Sequence, residues 1–86
     1  MKVIYKYELA RTITLPINSQ ILKAGMQNGI MHMWVLVDPN QKEASQRNFE
    51  MIGTGHGFEF DYLTHTYIDS VFDGPFVWHI WEINKN

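Results

Sequence analysis

The chain has 86 residues, a formal net charge of −2 and 45% hydrophobic residues. This is the size of one small domain with enough apolar side chains for a core, so a chain that is disordered for want of hydrophobic residues is excluded. It contains no cysteine, which excludes disulfides, thiol nucleophiles and cysteine-bound zinc. We therefore expect a single domain over residues 1–86, stabilised by packing or by association between copies.

Charge and hydropathy along the chain bear on its location and its partners. Residues 1–47 hold six Lys or Arg against three acids, a balance of +3, whereas residues 48–86 hold one Lys against six acids, a balance of −5. An acidic side suits a basic partner, although an ordinary solvated surface has the same composition. The Lys and Arg residues are scattered, so direct nucleic-acid binding is not expected.

The N-terminal residues 1–8 carry a charge every few positions and lack the apolar run of a signal peptide. The most apolar stretch, near Phe76, is interrupted by His79 and Glu82, far short of the roughly 18 to 20 residues of a membrane helix. We expect a soluble, cytoplasmic protein that makes no membrane contact.

The first elements in the chain are two strands. Val3, Tyr5, Tyr7 and Leu9 alternate with Lys2, Ile4, Lys6 and Glu8, the period of two that is typical of a strand. Residues 12–15 predict a second, short strand, which Pro16 should end because proline has no N–H to donate. Residues 16–19 then form a loop.

Asn28-Gly29 lies between two patterned stretches, 21–27 and 30–37, and Asn-Gly is the strongest two-residue hairpin signal. A two-residue loop predicts the pairs Met26 with Met31, Ala24 with Met33 and Leu22 with Val35, all on one apolar face. The opposite face carries Lys23, His32 and Trp34. This second face has no evident place in a core, so we interpret it as a surface where a partner binds.

The middle of the chain is polar. Asp38-Pro39-Asn40-Gln41 resembles a capped helix start and predicts a helical turn near residues 39–45, within an exposed connection over residues 40–48. A strand then runs from about residue 47 to 54. Gly53, Gly55 and Gly57 end it.

Residues 66–72 and 76–83 flank Asp73-Gly74-Pro75 and predict a second hairpin. Alternation leaves apolar side chains on both of its faces, which therefore both need cover. One face is predicted to hold Tyr67, Val71, Phe76, Trp78 and Ile80, and the other Ile68, Val77, His79, Trp81 and Ile83. The fold class is all-β: a small antiparallel barrel or sandwich of six to seven strands, with at most one short helical turn.

No motif identifies a reaction. The four histidines show neither His-x-His nor His-x3-His spacing, so no metal site, cofactor or catalytic residue is expected. A hydrolase built from the histidines with Glu59, Asp61 or Asp69 is the remaining enzymatic alternative. Gly53 to Gly57 lacks the GK[ST] and the helix of a phosphate-binding loop. It is either a simple turn or a loop in which Thr54, Gly55 and His56 contact a ligand.

The tryptophans and their neighbours are the other candidates for binding. Lys23, His32 and Trp34 on the first hairpin, with Trp78, His79 and Trp81 on the second, offer aromatic surface beside hydrogen-bonding groups. Packing in a core or interface is the alternative interpretation for each of them.

Several short segments in order resemble one family of short bacteriophage and prophage proteins of uncharacterised function. The resemblance covers almost the whole chain and rests on residues 6–9, 13–16, 27–29, 34–39, 53–56 and 76–79 (KYEL, ITLP, QNG, WVLVDP, GTGH and FVWH). It implies a phage origin and a small β fold, and it transfers no catalytic residue. Gly55 and His56 are its most distinctive polar positions.

A phage origin implies a function by binding. We expect a non-enzymatic, homo-oligomeric protein that inhibits a host or antiviral-defence component by occupying it, through its acidic half or its exposed aromatic face. One alternative is an oligomeric sponge that sequesters a small signalling nucleotide, with stacking on aromatic rings and donors near Gly53 to Gly57. The other is a minor structural or assembly protein of the virion.

Overall fold

The computed structural model describes residues 1–61 and 63–84, and these form seven antiparallel strands with no helix among them. None of the described residues therefore belongs to a helix that could cross a membrane. The strands are β1 (Val3–Glu8), β2 (Thr12–Pro16), β3 (Gln20–Gln27), β4 (Ile30–Val37), β5 (Ala44–Gly53), β6 (His65–Asp73) and β7 (Phe76–Ile83).

The strands form two sheets that pack as a small β-sandwich. Sheet I has the order β1-β4-β3 and sheet II the order β2-β5-β7-β6. Side chains from both sheets meet in one core, which includes Met33 and Val35 of sheet I with Phe49 and Ile80 of sheet II. The predicted small all-β fold is confirmed, and of its two forms the structure is the sandwich.

One side of the sandwich is joined by a carboxylate instead of a backbone ladder. Asp69 of β6 accepts a hydrogen bond from the Ala24 N–H of β3 at 3.0 Å, and the Lys23 ammonium lies 3.7 Å from the same oxygen. Asp69 thus satisfies a backbone donor that would otherwise be left unpaired on the edge of β3.

Close to its turn, the first hairpin has the register that Asn28-Gly29 predicts. Both turn residues have positive φ, 53° and 78°, as a type I′ turn requires. Met26 pairs with Met31 and Ala24 with Met33. The predicted pair of Leu22 with Val35 is wrong, because a bulge between Ile21 and Lys23 shifts the ladder so that Ile21 pairs with Val35. Leu22 is consequently exposed.

The second hairpin also contains a bulge, and it changes which side chains share a face. Asp73 pairs with Phe76 across Gly74 and Pro75. The register shifts between Tyr67 and Asp69, so the predicted faces are wrong at two positions. Tyr67 pairs with Trp81 on the outer face of sheet II, and Ile68 packs against the core.

The polar connection in the middle of the chain is shorter than predicted. Gln41 donates its backbone N–H to the Asp38 carbonyl, and the Asp38 carboxylate accepts from the Asn40 N–H. This is an isolated turn, so the helical turn predicted near residues 39–45 is wrong. The reason is tertiary: from Ala44 onward the chain pairs with β2 and becomes β5, which overrides the local capping signal.

A partly buried ion pair lies on the inner face of sheet II, at one end of the sandwich. The Arg47 guanidinium donates to both carboxylate oxygens of Glu82, at 2.5 and 2.7 Å, and to the Ser19 carbonyl at 2.5 Å. One side chain thus joins β5 and β7 to the turn that precedes β3.

Candidate functional site

The outer face of sheet II carries a cluster of aromatic side chains, here called the aromatic face: Phe58, Phe60, His65, Tyr67, His79 and Trp81. Alternation along β7 directs His79 and Trp81 to this face, and the bulge in β6 places Tyr67 opposite Trp81. Phe58 and Phe60 come from the loop after β5 and stack at 4.6 Å. Phe60 also stacks on His65 at 3.8 Å and meets Trp81 edge-on at 5.3 Å.

A cavity of about 280 Å³ opens on the aromatic face. Its walls are mainly apolar, which is typical of a ligand pocket, although the volume is at the small end of the range. The lining residues are Ile52, Gly53, Thr54, Gly55, His56, Phe58, Tyr67, His79 and Trp81. The cavity therefore joins the glycine-containing loop to the second hairpin.

A hydrogen-bonded chain of three side chains forms one wall of the cavity. The Thr54 hydroxyl lies 2.7 Å from His79 Nε2, and the Tyr67 hydroxyl lies 2.7 Å from His79 Nδ1. Thr54 also donates to the Val77 carbonyl, so its oxygen is left to accept from His79 Nε2–H. His79 Nδ1 then accepts from the Tyr67 O–H, which assigns the Nε2–H tautomer and leaves neither nitrogen free.

The loop from Gly53 to Gly57 adopts its shape because of close contacts and one left-handed residue. A Cβ at Gly53 would lie 2.9 Å from the His56 ring, which packs edge-on against Trp78. Gly55 has φ +88°, a conformation that favours glycine. The loop is therefore a tight turn that holds Thr54 against His79.

In the part of the chain that the structure describes, no Asp or Glu lines the cavity. No Lys or Arg is present among its lining residues, and Glu50 pairs with Trp81 in the ladder. Glu59 and Asp61 follow in the exposed loop. Across residues 1–61 and 63–84, no three His, Asp or Glu residues come close enough to hold a metal ion. The arrangement suits an apolar group that is uncharged or positively charged.

The structure brings five of the predicted binding residues together. Thr54, Gly55, His56, His79 and Trp81 all line the cavity. Trp78 belongs to the opposite, inner face, where it pairs with Gly53 and Val71 and packs against the core.

The other three predicted residues lie far from the cavity, on the outer face of sheet I. His32 and Trp34 are central there, and Lys23 pairs with Trp34. A Cβ at Gly25 would lie 3.6 Å from the Trp34 ring, so the indole rests on the glycine. His32 Nδ1–H donates to the Ile30 carbonyl. Sheet I and sheet II thus each present a separate outer surface.

Sequence reasoning missed Phe58, Phe60, His65 and Tyr67. Tyr67 was assigned to the wrong face because no residue pattern marks the bulge beside it. The Phe58-Glu59-Phe60 alternation was a usable signal, since two aromatic residues two positions apart in a polar loop have to pack on something.

Comparisons of the chain with curated proteins and with solved structures gave no significant match. A family described as "Domain of unknown function (DUF7352)" matches residues 1–86. The match extends over the whole sandwich, including both outer faces and the cavity. The chain therefore belongs to this family.

Proposed function

We propose that this protein is a non-enzymatic, phage-encoded binding protein that acts in the host cytoplasm and inhibits a host or antiviral-defence component by occupying it. The observation that carries the proposal is the aromatic face of sheet II. Phe58 and Tyr67 are about half exposed there, and Phe72, on the same outer face, is 71% exposed. Water-exposed aromatic rings grouped on one face mark an interaction surface.

The form of this surface suits a protein partner. Binding energy in protein interfaces is concentrated in a few aromatic anchors beside a pocket, with a polar rim that excludes water. The aromatic face has such anchors around a small cavity, and Glu59 and Asp61 lie in the exposed loop that carries Phe58 and Phe60. The partner would insert an apolar side chain into the cavity and place basic side chains around it.

The hydrogen bonds at the cavity favour binding over catalysis. A general base has to lie within hydrogen-bond reach of the proton that it abstracts from the substrate. Both nitrogens of His79 are engaged by Thr54 and Tyr67. His65 is buried, and its Nδ1 lies 2.8 Å from the Thr64 hydroxyl. These contacts fix the two rings in place, which supports a role for them in shaping the cavity.

The nucleotide sponge has weaker support. The cavity offers rings for base stacking and a threonine hydroxyl, but no Lys or Arg among the described residues lines it. Phosphate recognition depends on such cations or on a set of converging backbone N–H groups. A thermal-shift series against cyclic nucleotides tests this alternative, and mass spectrometry of purified particles tests the role as a minor virion protein.

The proposal is tested by capture from host lysate with matched variants. The double variant Phe58→Ser/Phe72→Ser removes two exposed anchors, and Leu22→Ser removes an equally apolar, exposed residue from sheet I. We expect the native protein and Leu22→Ser to recover the same host protein. Because each anchor contributes about 1 kcal/mol or more, the double variant should bind it roughly 30-fold more weakly.

Two results would refute the proposal. One is recovery of the bait alone, together with normal infection when the gene is deleted. The other is a captured protein whose affinity is the same for the double variant as for Leu22→Ser.

A further inference from the structure

Strand β1 is the least protected edge among the strands that the structure describes. The edges of β3 and β6 face each other around Asp69. Strand β2 is five residues long and ends in Pro16, which has no N–H to offer a neighbour. Strand β1 has six residues at the edge of sheet I, without proline or bulge. Open edges of this kind pair with another strand.

The hydrogen-bond pattern shows which groups of β1 are available. Leu9 donates its N–H to the Met31 carbonyl at 2.9 Å. From this pair the β1–β4 register runs without a shift to the pair of Val3 with Val37. In an antiparallel ladder such pairs alternate, so the N–H and C=O groups of odd residues face β4. The N–H and C=O groups of Ile4, Lys6 and Glu8 face outward, away from β4. The same groups of Lys2, just before the strand, also face outward.

We propose that β1 pairs antiparallel with β1 of a second copy, with Tyr5 on the two-fold axis. This register matches outward-facing residues with each other, since Ile4 then lies opposite Lys6 of the second copy and Lys2 lies opposite Glu8. Each outward N–H and C=O of these residues finds a partner. This contact lies on sheet I alone, so it is independent of the function proposed for sheet II.

Charge selects this register over its two neighbours. A shift of two residues in one direction would place Lys2 opposite Lys6, and a shift in the other would place Lys6 opposite itself. Like charges directly opposite each other destabilise a strand pair, whereas opposite charges stabilise it. Centring on Tyr5 is the register that makes two Lys2–Glu8 pairs and avoids both repulsions.

The side chains of β1 also suit a contact between copies. Ile4 and Tyr5 are each about half exposed, although they are large and apolar. Pairing would remove part of Ile4 from water and would bring the two Tyr5 rings together on the inner side. A two-fold axis perpendicular to the sheet leaves the outer face of sheet I on the same side in both copies. The two aromatic faces would then point in one direction, which permits bivalent binding.

Charge reversal tests the register in the intact chain. We expect the native protein to be a dimer by analytical ultracentrifugation across a dilution series. Lys2→Glu or Glu8→Lys alone should raise the dimer dissociation constant roughly 5- to 30-fold, because each creates two like-charge pairs. The double variant Lys2→Glu/Glu8→Lys should restore the native value. A monomer at every concentration, or two single effects that simply add, would overturn the proposal.

Removal of one outward donor tests the edge itself. Ile4→Pro deletes an N–H that does not face β4, so it should yield a folded monomer. Thr14→Pro deletes the corresponding outward donor of β2 and should leave the dimer intact. Circular dichroism checks that both variants fold. If Ile4→Pro fails to fold, amide exchange of the native protein decides: the amides of Lys6 and Glu8 should be protected at high concentration and lose protection on dilution. Unprotected amides at all concentrations would overturn the proposal.

Discussion

Breaking the Arg47–Glu82 ion pair should destabilise the sandwich far more than breaking a surface pair. Glu82→Gln leaves the guanidinium without its counterion in a site where the two side chains are only 22% and 15% exposed. Unpairing a fully buried charge costs about 3 to 5 kcal/mol, and we reduce this to about 2 to 4 kcal/mol because water reaches part of the pair. A domain of this length has a total stability of roughly 4 to 13 kcal/mol.

The measurement is urea unfolding of Glu82→Gln beside Glu50→Gln. Glu50 pairs with Arg11 at 3.3 Å, with side chains 29% and 76% exposed, so its loss should cost less than about 1 kcal/mol. In thermal unfolding, the Glu82 variant should lose roughly 10 to 25 °C. Equal losses of unfolding free energy in the two variants would refute the view that burial makes the Arg47–Glu82 pair more stabilising than the Arg11–Glu50 pair.

Three further predictions concern single side chains. Tyr67→Phe removes the O–H that donates to His79 Nδ1, and it should cost less than about 1 kcal/mol, because water can replace the hydroxyl. Imidazole ¹⁵N shifts should still show the Nε2–H tautomer, since Thr54 still accepts from Nε2–H; a mixture of tautomers would show that Tyr67 determines the tautomer. Burial, with a smaller effect of the Tyr5 hydroxyl, raises the pKa of Tyr7 above its ordinary value of 10.0. The unfolded chain therefore loses this proton first, and stability should fall as the pH rises above about 10. Tyr7→Phe should reduce that fall in urea unfolding at alkaline pH, and an unchanged slope would contradict the assignment. Gly29→Ala places a Cβ on a residue with φ +78° and should reduce the free energy of unfolding by about 1 to 2 kcal/mol in the same assay. Gly57→Ala, whose Cβ would meet open space, should leave the free energy of unfolding unchanged. Equal losses for the two variants would show that the positive φ is not the cause.

The strands were predictable from alternation, and their exact pairing was not. Asn28-Gly29 has a backbone preference of its own, so the turn and the two nearest inner-face pairs follow from local chemistry. The bulges at Leu22 and Ile68 have no such local cause. Each shifts one strand by one residue, which reverses the face of the side chains beyond it. Asp38 does cap a turn, as its sequence context predicts, but no helix follows because the chain from Ala44 onward pairs with β2 as strand β5.

The candidate site was predictable in part for a similar reason. Thr54, Gly55 and His56 were identified because closely spaced glycines indicate a turn with exposed backbone. His79 and Trp81 were identified because the second hairpin has aromatic and apolar side chains on both faces, and only one of the two faces can lie against the core. That these two groups meet depends on β5 pairing with β7, a contact between distant segments that no local pattern encodes. Tyr67 joined them only through the bulge.

The order of strands along the chain also affects how the protein is made. Strand β1 belongs to sheet I and pairs with β4, while β2 belongs to sheet II and pairs with β5. During synthesis both early strands leave the ribosome before their partners exist, whereas the β3–β4 hairpin can close as soon as it emerges. The strand order therefore predicts that the N-terminal strands join the sheets after the β3–β4 and β6–β7 hairpins have formed.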